Sequence, residues 1–543
     1  MVWLSTAMTM GDLLVRAAER DPDHDALVFP DVRYSFADLL DRAVEQARSL
    51  VTLGVESGDH VGILMPNHPD VTEVMFGALL AGAVPVPINA RFKKRELAYV
   101  VGDADLVVLV TTDVVAEHID YVQLLHASID GLADAVDPAN LSLGAAPELR
   151  AVVCLGSDRS YPGMVGRDAF GALAAETDPS EVEERRRRVR VRDTGIMIYT
   201  SGTTANPKGC PLSHEALVRT GRATRDRFRL TDEDAFWDPL PMFHMSSILP
   251  ITACLDAGAS FISLTHYTPD AAIDQIIAER PTVVYSTFPT ITASLVAHPR
   301  WPEIDLERVR LTCNIAPEDL LRRFQAAFPH AIQVAAYGLS EATGVVGYNE
   351  LTDTLDQRIQ TTGRPFPGVQ VRIVDPETLE ERPPGEVGEI WVRGYSLFEG
   401  YWKDPEKQAE SVTADGWLRT GDLCTVDADG RISYEGRLKD MLKVGGENVA
   451  AIEIESFLAN HPSVKLAQVV GIPDEKYLEV PAAFVQLHDH AAATADELVE
   501  FCRGKIASFK VPRRVVFVDE WPMSATKIQK FRLRQGLLAG EFG

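Results

Sequence analysis

Cysteine is scarce, with six residues in a chain of 543, and Cys154, Cys210, Cys254, Cys313, Cys424 and Cys502 lie far apart. Neither a disulfide framework nor a zinc knuckle is readable in that spacing, which suits a reducing compartment. Long apolar runs are missing as well. Nowhere do about 18 apolar residues follow one another, and Met1 to Arg20 mixes acidic with basic side chains, so neither a membrane span nor a signal peptide is expected. Positive charge is in deficit: 53 Lys and Arg stand against 79 Asp and Glu, a net charge of −26. That balance repels polyanions, argues against nucleic-acid and anionic-membrane partners, and requires that any bound phosphate be held locally. A soluble, cytoplasmic protein is the expectation, and composition is silent on its oligomeric state.

The apolar content, 46% of residues against 24% charged, is enough to fold, over a length that calls for two or more units. Apolar positions recur at helical spacing over 11–53, with a strand-like interruption at 26–34. Buried strands at 59–65 and 84–88 flank a helix at 71–80, and short apolar runs at 106–111, 151–154, 282–285 and 310–313 continue the alternation. This β-α-β order implies a layered α/β body with parallel sheets. Two segments, 130–147 and 178–192, read as surface additions, the second a solvated loop in which the run Glu183 to Arg188 pairs with itself. After Ile359 short alternating strands at 369–374, 388–392 and 431–434 suggest a small β subdomain. Beyond the charged turn Gly436-Arg437-Leu438-Lys439-Asp440 a fresh α+β pattern begins. The expected organisation is an N-terminal domain of residues 1–437 and a small mobile C-terminal α+β domain of residues 438–543.

The chemistry concentrates in Ile198-Tyr199-Thr200-Ser201-Gly202-Thr203-Thr204-Ala205-Asn206-Pro207-Lys208-Gly209, which follows an apolar strand. Aliphatic hydroxyls, small neighbours that let backbone N–H groups face an anion, and one lysine make a phosphate cradle. A Walker A loop it is not, because glycine rather than Ser or Thr follows Lys208.

This segment resembles the phosphate-binding signature of the AMP-forming adenylating enzymes, the superfamily of acyl-CoA synthetases, adenylation domains and firefly-type luciferases. Further signatures of that family recur in order: Pro241-Met242-Phe243-His244, Tyr337-Gly338-Leu339-Ser340-Glu341, Gly416-Trp417-Leu418-Arg419-Thr420-Gly421-Asp422-Leu423, Gly436 to Asp440, Val444-Gly445-Gly446-Glu447-Asn448-Val449 and Lys527-Ile528-Gln529-Lys530. The resemblance spans nearly the whole chain.

It implies roles that the residues alone leave open. Thr200, Ser201, Gly202, Thr203, Thr204 and Lys208 are then the phosphate contacts, with Ala316, Ala336, Tyr337 and Gly338 around the nucleotide. Tyr337 offers a face for adenine, although a tyrosine after an apolar strand also suits a core. Ser340 meets the α-phosphate. Glu341, in isolation a helix-start carboxylate, supplies with Thr200 hard oxygens for Mg²⁺. Asp422 and Arg437 take the ribose hydroxyls, where an Asp in a Gly-rich turn otherwise does turn chemistry. His244 is either a core histidine or, by resemblance, an aromatic gate beside the acyl carboxylate, in a pocket shared with Met245, Ile315 and Gly338. Lys527, otherwise a solubility residue, stabilises the pentavalent α-phosphorus, Lys439 is the hinge, and Gly445 and Gly446 face the pantetheine of CoA.

Three departures from the family pattern stand out. Ala205 replaces a usual glycine. The residues before the catalytic lysine are compressed to Ser524-Ala525-Thr526, which makes Lys530 the alternative cation. A Gly-Gly-Ala-Pro type segment is replaced by Asn314-Ile315-Ala316-Pro317, whose bulk is expected to reshape the acyl pocket. The resemblance implies a ligase that uses Mg²⁺, ATP and CoA to activate a small-molecule carboxylic acid as acyl-adenylate and then as thioester. Lys510, Arg513 and Arg514 are compatible with the CoA phosphates. The alternatives are transfer to a carrier-protein thiol or an amine, or a silent nucleotide-binding protein.

Overall fold

Why the motif loops meet is a matter of parallel strands. The computed structural model describes residues 8–200, 206–444, 447–474, 477–523 and 528–542. Within them the backbone contacts separate two units, 1–370 with 393–416 and 371–392 with 417–543.

The first unit holds two large sheets. One is all parallel, in the order Val84–Pro87, His60–Leu64, Leu106–Thr111, Ala151–Cys154 and Val165–Gly166. Its third strand, Leu-Val-Val-Leu-Val-Thr, is buried at every position, as expected of a strand covered on both faces. The other sheet has seven strands in the order Ile332–Val334, Leu311–Cys313, Val283–Val284, Ala235–Trp237, Ser260–Ile262, Asp25–Phe29 and Val32–Ser35. All neighbours in it are parallel except the last pair, a hairpin. Parallel strands end on one edge. The strands Ala235–Trp237, Leu311–Cys313 and Ile332–Val334 therefore deliver Pro241 to His244, Asn314 to Ala316 and Ala336 to Gly338 to the same carboxyl edge.

The second unit carries a four-stranded sheet, Val369–Val374, Gly388–Gly394, Leu418–Val426 and Ile432–Arg437, in that order. It also carries a five-stranded sheet in which Leu478–Leu487 pairs antiparallel with Val464–Asp474 and parallel with Arg514–Phe517. The helices Ala451–Ala459 and Ala495–Cys502 bury Ile454, Leu458, Leu498 and Cys502 against that second sheet, giving the small α+β body its own core. The expected 437/438 boundary falls inside this unit, at the 3₁₀ turn Leu438–Asp440.

Both segments expected on the surface are largely exposed, but each is more structured than expected. In 130–147 the side chains of Leu132, Leu141, Leu143 and Ala146 are buried in the core of the parallel sheet, because the chain folds back over the helix Tyr121–Ser128. Residues Pro179–Arg188 form a helix rather than a loop, capped by Asp178 and started by proline. Its charges do pair with each other: Arg185 with Glu181, Arg187 with Glu183 and Arg188 with Glu184 are all one turn apart. All six cysteines are buried free thiols. Among the described residues no helix is long and apolar enough to cross a membrane, and no group of three His, Cys, Asp or Glu side chains is arranged to hold a metal.

Candidate active site

The phosphate-binding string is a β-hairpin. Strand Thr194–Thr200 pairs antiparallel with Lys208–Ser213, and Thr200 lies directly opposite Lys208. The residues expected to touch phosphate thus leave and re-enter one ladder, which fixes Thr200 and Lys208 as the two gateposts. Ser201, Gly202, Thr203, Thr204 and Ala205 lie outside the described residues.

The hairpin is braced from outside. The Tyr199 hydroxyl donates to Asp103 Oδ2 at 2.6 Å, Tyr99 donates to the other oxygen of that carboxylate, and the Trp402 indole N–H reaches the Asp103 carbonyl. Gly209 is required here, because a Cβ on it would stand 2.9 Å from Trp402 Cβ. Burial and the Asp103 contact push the Tyr199 phenol far up, so it stays a donor. The Trp402 N–H then bonds the Gly209 carbonyl at 2.9 Å and the Glu399 N–H bonds the Pro211 carbonyl at 3.0 Å, extending the ladder by one more segment.

That segment meets Glu341. Glu341 lies in the 3₁₀ turn Ser340–Ala342, its backbone carbonyl accepts from Phe398 N–H at 2.9 Å, and its Oε1 accepts from the Tyr401 hydroxyl at 2.9 Å. The Lys208 ammonium sits 5.4 Å from the centre of the same Tyr401 ring and 3.9 Å from Asp404 Oδ2. No Lys or Arg among the described residues pairs with Glu341. A half-buried carboxylate that holds one hydroxyl proton and no cation fits Mg²⁺, which takes one or two carboxylates and completes its shell with water and phosphate oxygens.

The turn before Glu341 is shaped by close backbone approach. A Cβ on Gly338 would lie 2.1 Å from the Gly344 carbonyl oxygen, and one on Gly344, whose φ is +86°, would lie 2.7 Å from Met245 Cβ. The structure therefore brings Met245 and Gly338 into one cluster. Tyr337, on the strand Ala336–Tyr337, has its ring buried, and Ser340 is half-buried. His244 is the residue before the helix Met245–Ala257; its backbone carbonyl accepts from Ser247 and Ile248, and its ring is not spent on capping. The loop that carries it is pinned by Asn67, whose amide gives to the Leu240 carbonyl and accepts from Met242 N–H, both at 2.8 Å.

Within the string Asn314-Ile315-Ala316-Pro317, Asn314 faces inward. Its side chain is fully buried, accepting from the Thr292 hydroxyl at 2.6 Å, because the strand end turns it into the core. Ile315, half exposed, and Pro317 project from this string, with Ala316 partly covered.

In the second unit Asp422 and Arg437 are opposite partners on adjacent strands, Arg437 Nε lying 2.9 Å from Asp422 Oδ1 in an ion pair. Burial opposes the Arg437 charge, but Asp422, Tyr434 and Asp440 together more than restore it, leaving its pKa raised. Lys439 occupies the turn Leu438–Asp440, where burial lowers its pKa. Lys530, the alternative cation, is committed locally: its ammonium lies 2.6 Å from Glu455 and 3.9 Å from Asp440. Lys510 pairs with Glu453 and Arg514 gives to the Phe542 carbonyl. Gly445, Gly446 and Lys527 lie outside the described residues.

Asp103, Asn67, Tyr401 and Asp404 were not singled out in the sequence. A signal for the last two was present, since Asp404 before Pro405 marks a helix start directly after Tyr401-Trp402, and Asp404 does cap Pro405–Ser411.

With this geometry in place, comparison with known proteins assigns the class. The AMP-binding enzyme family matches residues 14–402, and the AMP-binding enzyme C-terminal domain matches residues 453–527. The chain belongs to this family, the AMP-forming adenylating enzymes. It is 35% identical to YngI of Bacillus subtilis, provisionally described as an acyl-CoA synthetase, over 97% of this chain and 96% of that protein. It is 32% identical to the mitochondrial medium-chain acyl-CoA ligase ACSF2 of Mus musculus, over 97% of this chain and 87% of the other. The anthranilate CoA ligase AuaEII, solved with anthranoyl-AMP, superposes with a TM-score of 0.84 at 27% identity, covering 98% of each chain.

Proposed function

We infer that this chain is an ATP-dependent, AMP-forming acyl-CoA ligase, with a carboxylic acid, ATP and CoA as substrates. The observation that carries the reading is the hairpin gated by Thr200 and Lys208, with the carboxylate of Glu341, unpaired with Lys or Arg among the described residues, held beside it through Tyr401. Relatives of nearly full length named as acyl-CoA ligases support CoA as the acceptor.

In the first half-reaction the substrate carboxylate attacks the α-phosphorus of ATP in line, and the bond to the bridging oxygen breaks to release pyrophosphate. Thr200 to Thr204 and Lys208 hold the phosphates, Ser340 orients the α-phosphate, and Asp422 with Arg437 fixes the ribose. Glu341 and Thr200 would hold Mg²⁺, which when bound would supply neutralisation of the departing pyrophosphate. Lys527 opposes the charge that grows on the equatorial oxygens. His244 and Met245 place the acid. In the second half-reaction the CoA thiol adds to the adenylate carbonyl carbon and AMP leaves with both electrons of the broken C–O bond. Lys439 is the hinge between the two half-reactions, and residues 438–543 form the mobile domain that exchanges Lys527 for Gly445 and Gly446. The cytoplasm is the compartment this reading favours.

Acid-dependent exchange of labelled pyrophosphate into ATP tests the first step without CoA. Exchange that requires a carboxylic acid and Mg²⁺ supports the reading; no exchange with any of a broad panel of aliphatic and aromatic acids contradicts it.

A further inference from the structure

Tyr401 is not part of the phosphate string, yet it touches both the string's Lys208 and the neighbouring Glu341. Its hydroxyl gives a proton to Glu341 Oε1 at 2.9 Å while the face of its ring lies 5.4 Å from the Lys208 ammonium. We propose that Tyr401 is the positioning residue that sets the Glu341 carboxylate and the Lys208 ammonium relative to each other, so that one side chain aligns the metal-binding and phosphate-binding charges. The proposal rests on the roles given above to Glu341 and Lys208.

The backbone leaves Tyr401 little choice of place. Phe398 N–H holds the segment to the Glu341 carbonyl, and Trp402 N–H, three bonds of chain beyond Tyr401, holds it to the Gly209 carbonyl next to Lys208. Phe398 and Tyr401 rings meet edge to face at 4.7 Å, which fixes the plane of the phenol. Gly400, at φ +129°, permits the turn that aims the ring, and Gln408 accepts from Tyr401 N–H at 3.3 Å. Asp404 completes the arrangement from the Lys208 side, with Oδ1 spent on capping its helix and Oδ2 turned to the ammonium. A hydroxyl donated to a carboxylate leaves that carboxylate's remaining lone pairs in a defined direction, and a cation over a ring is confined to the ring's face. The two functions of the side chain are separable, because Phe keeps the face and loses the donor.

The experiment is binding of α,β-methylene-ATP, which cannot release pyrophosphate, measured by calorimetry with EDTA and over a series of Mg²⁺ concentrations. Tyr401→Phe is expected to raise the Mg²⁺ concentration for half-maximal tightening by about tenfold, the effect of a hydrogen bond to a charged group, with metal-free affinity unchanged within about twofold. Tyr401→Leu is expected to add a loss of about threefold in metal-free affinity, through Lys208. Glu341→Gln and Lys208→Ala are the controls. If they change Mg²⁺ dependence and metal-free affinity respectively while Tyr401→Phe changes neither, the proposal is overturned and the site reading stands. If the controls themselves bind like the unaltered protein, the site reading fails first. Equal loss of both properties in Tyr401→Phe, with circular dichroism unchanged, also overturns the proposal, since a merely structural ring would not divide them.

Discussion

The Lys530 ammonium stands 2.6 Å from the Glu455 carboxylate, and the Asp440 carboxylate, one residue past the hinge, lies 3.9 Å away. Glu455 also accepts from Val469 N–H at 2.7 Å, and burial raises its pKa against the pull of Lys530. A cation so placed is held by structure and is poorly free to meet a phosphate. Lys527→Ala is therefore expected to lose adenylation by about 10²–10³. Lys530→Ala is expected to keep the rate per folded molecule within about tenfold while losing about 1–3 kcal/mol of stability, because Glu455 is left without its partner. Pyrophosphate exchange and urea unfolding on both variants check this. A large rate loss in Lys530→Ala alone, with stability unchanged, would place the catalytic lysine at 530.

Asp422 and Arg437 face each other across a strand pair, so the carboxylate is oriented before any ligand arrives. Were Asp422 to take the ribose hydroxyls, removing a hydroxyl and removing the carboxylate should not add. ATP is expected to outcompete 2′-deoxy-ATP by about tenfold in the unaltered enzyme, consistent with a hydrogen bond to a charged group, and Asp422→Ala should erase that preference. Preference retained in the variant would move the ribose contact elsewhere.

His214 gives the fold a pH dependence. Its ring is buried against Gly195 at the base of the phosphate hairpin, and Nδ1 accepts from Met10 N–H at 3.1 Å. Burial lowers its pKa from 6.5 to about 4. The unfolded chain binds the proton first as pH falls, so the stability due to a neutral His214 is complete above 6.5 and declines as pH drops from 6.5 toward about 4. Thermal midpoints at pH 7.5 and about pH 5 are expected to differ by less in His214→Gln than in the unaltered protein. An unchanged difference would assign the acid lability to other groups.

The parallel sheets of a layered α/β body were legible in advance, because short apolar runs separated by helical periods admit little besides parallel strands. The strands at 106–111 and 151–154 keep the expected bounds, since nothing but buried apolar side chains fills them. The buried side chains within 130–147 were not legible because Leu132, Leu141 and Leu143 are too widely spaced to show a period, and only the tertiary fold makes them core. The inward turn of Asn314 was hidden for a related reason, since its partners Thr292 and Gln333 are remote in sequence. The charged residues proposed for the site were singled out through their strings. Tyr401 and Asp103 were not, because each acts through another residue and neither lies in a string whose chemistry announces itself.

Lys439 occupies a 3₁₀ turn, and the hinge role proposed for it is open to a direct test. Proline there would fix φ near −65° and remove an N–H, and a change of backbone dihedrals between half-reactions would be blocked. Lys439→Pro is expected to retain adenylate formation and to lose overall acyl-CoA synthesis by about 10² or more, as gating variants do. Measuring both half-reactions on one preparation checks it, and equal loss of the two in a folded variant would remove the hinge from the account.

The central claim, that ATP is cleaved between its α- and β-phosphates to activate an acid for CoA, is tested most directly by identifying the products of one complete reaction. With ATP, Mg²⁺, CoA and an accepted carboxylic acid, separation of the mixture should yield AMP, pyrophosphate and acyl-CoA in equal amounts, and omission of the acid should abolish all three. Formation of ADP and orthophosphate, in place of AMP and pyrophosphate, would contradict the account.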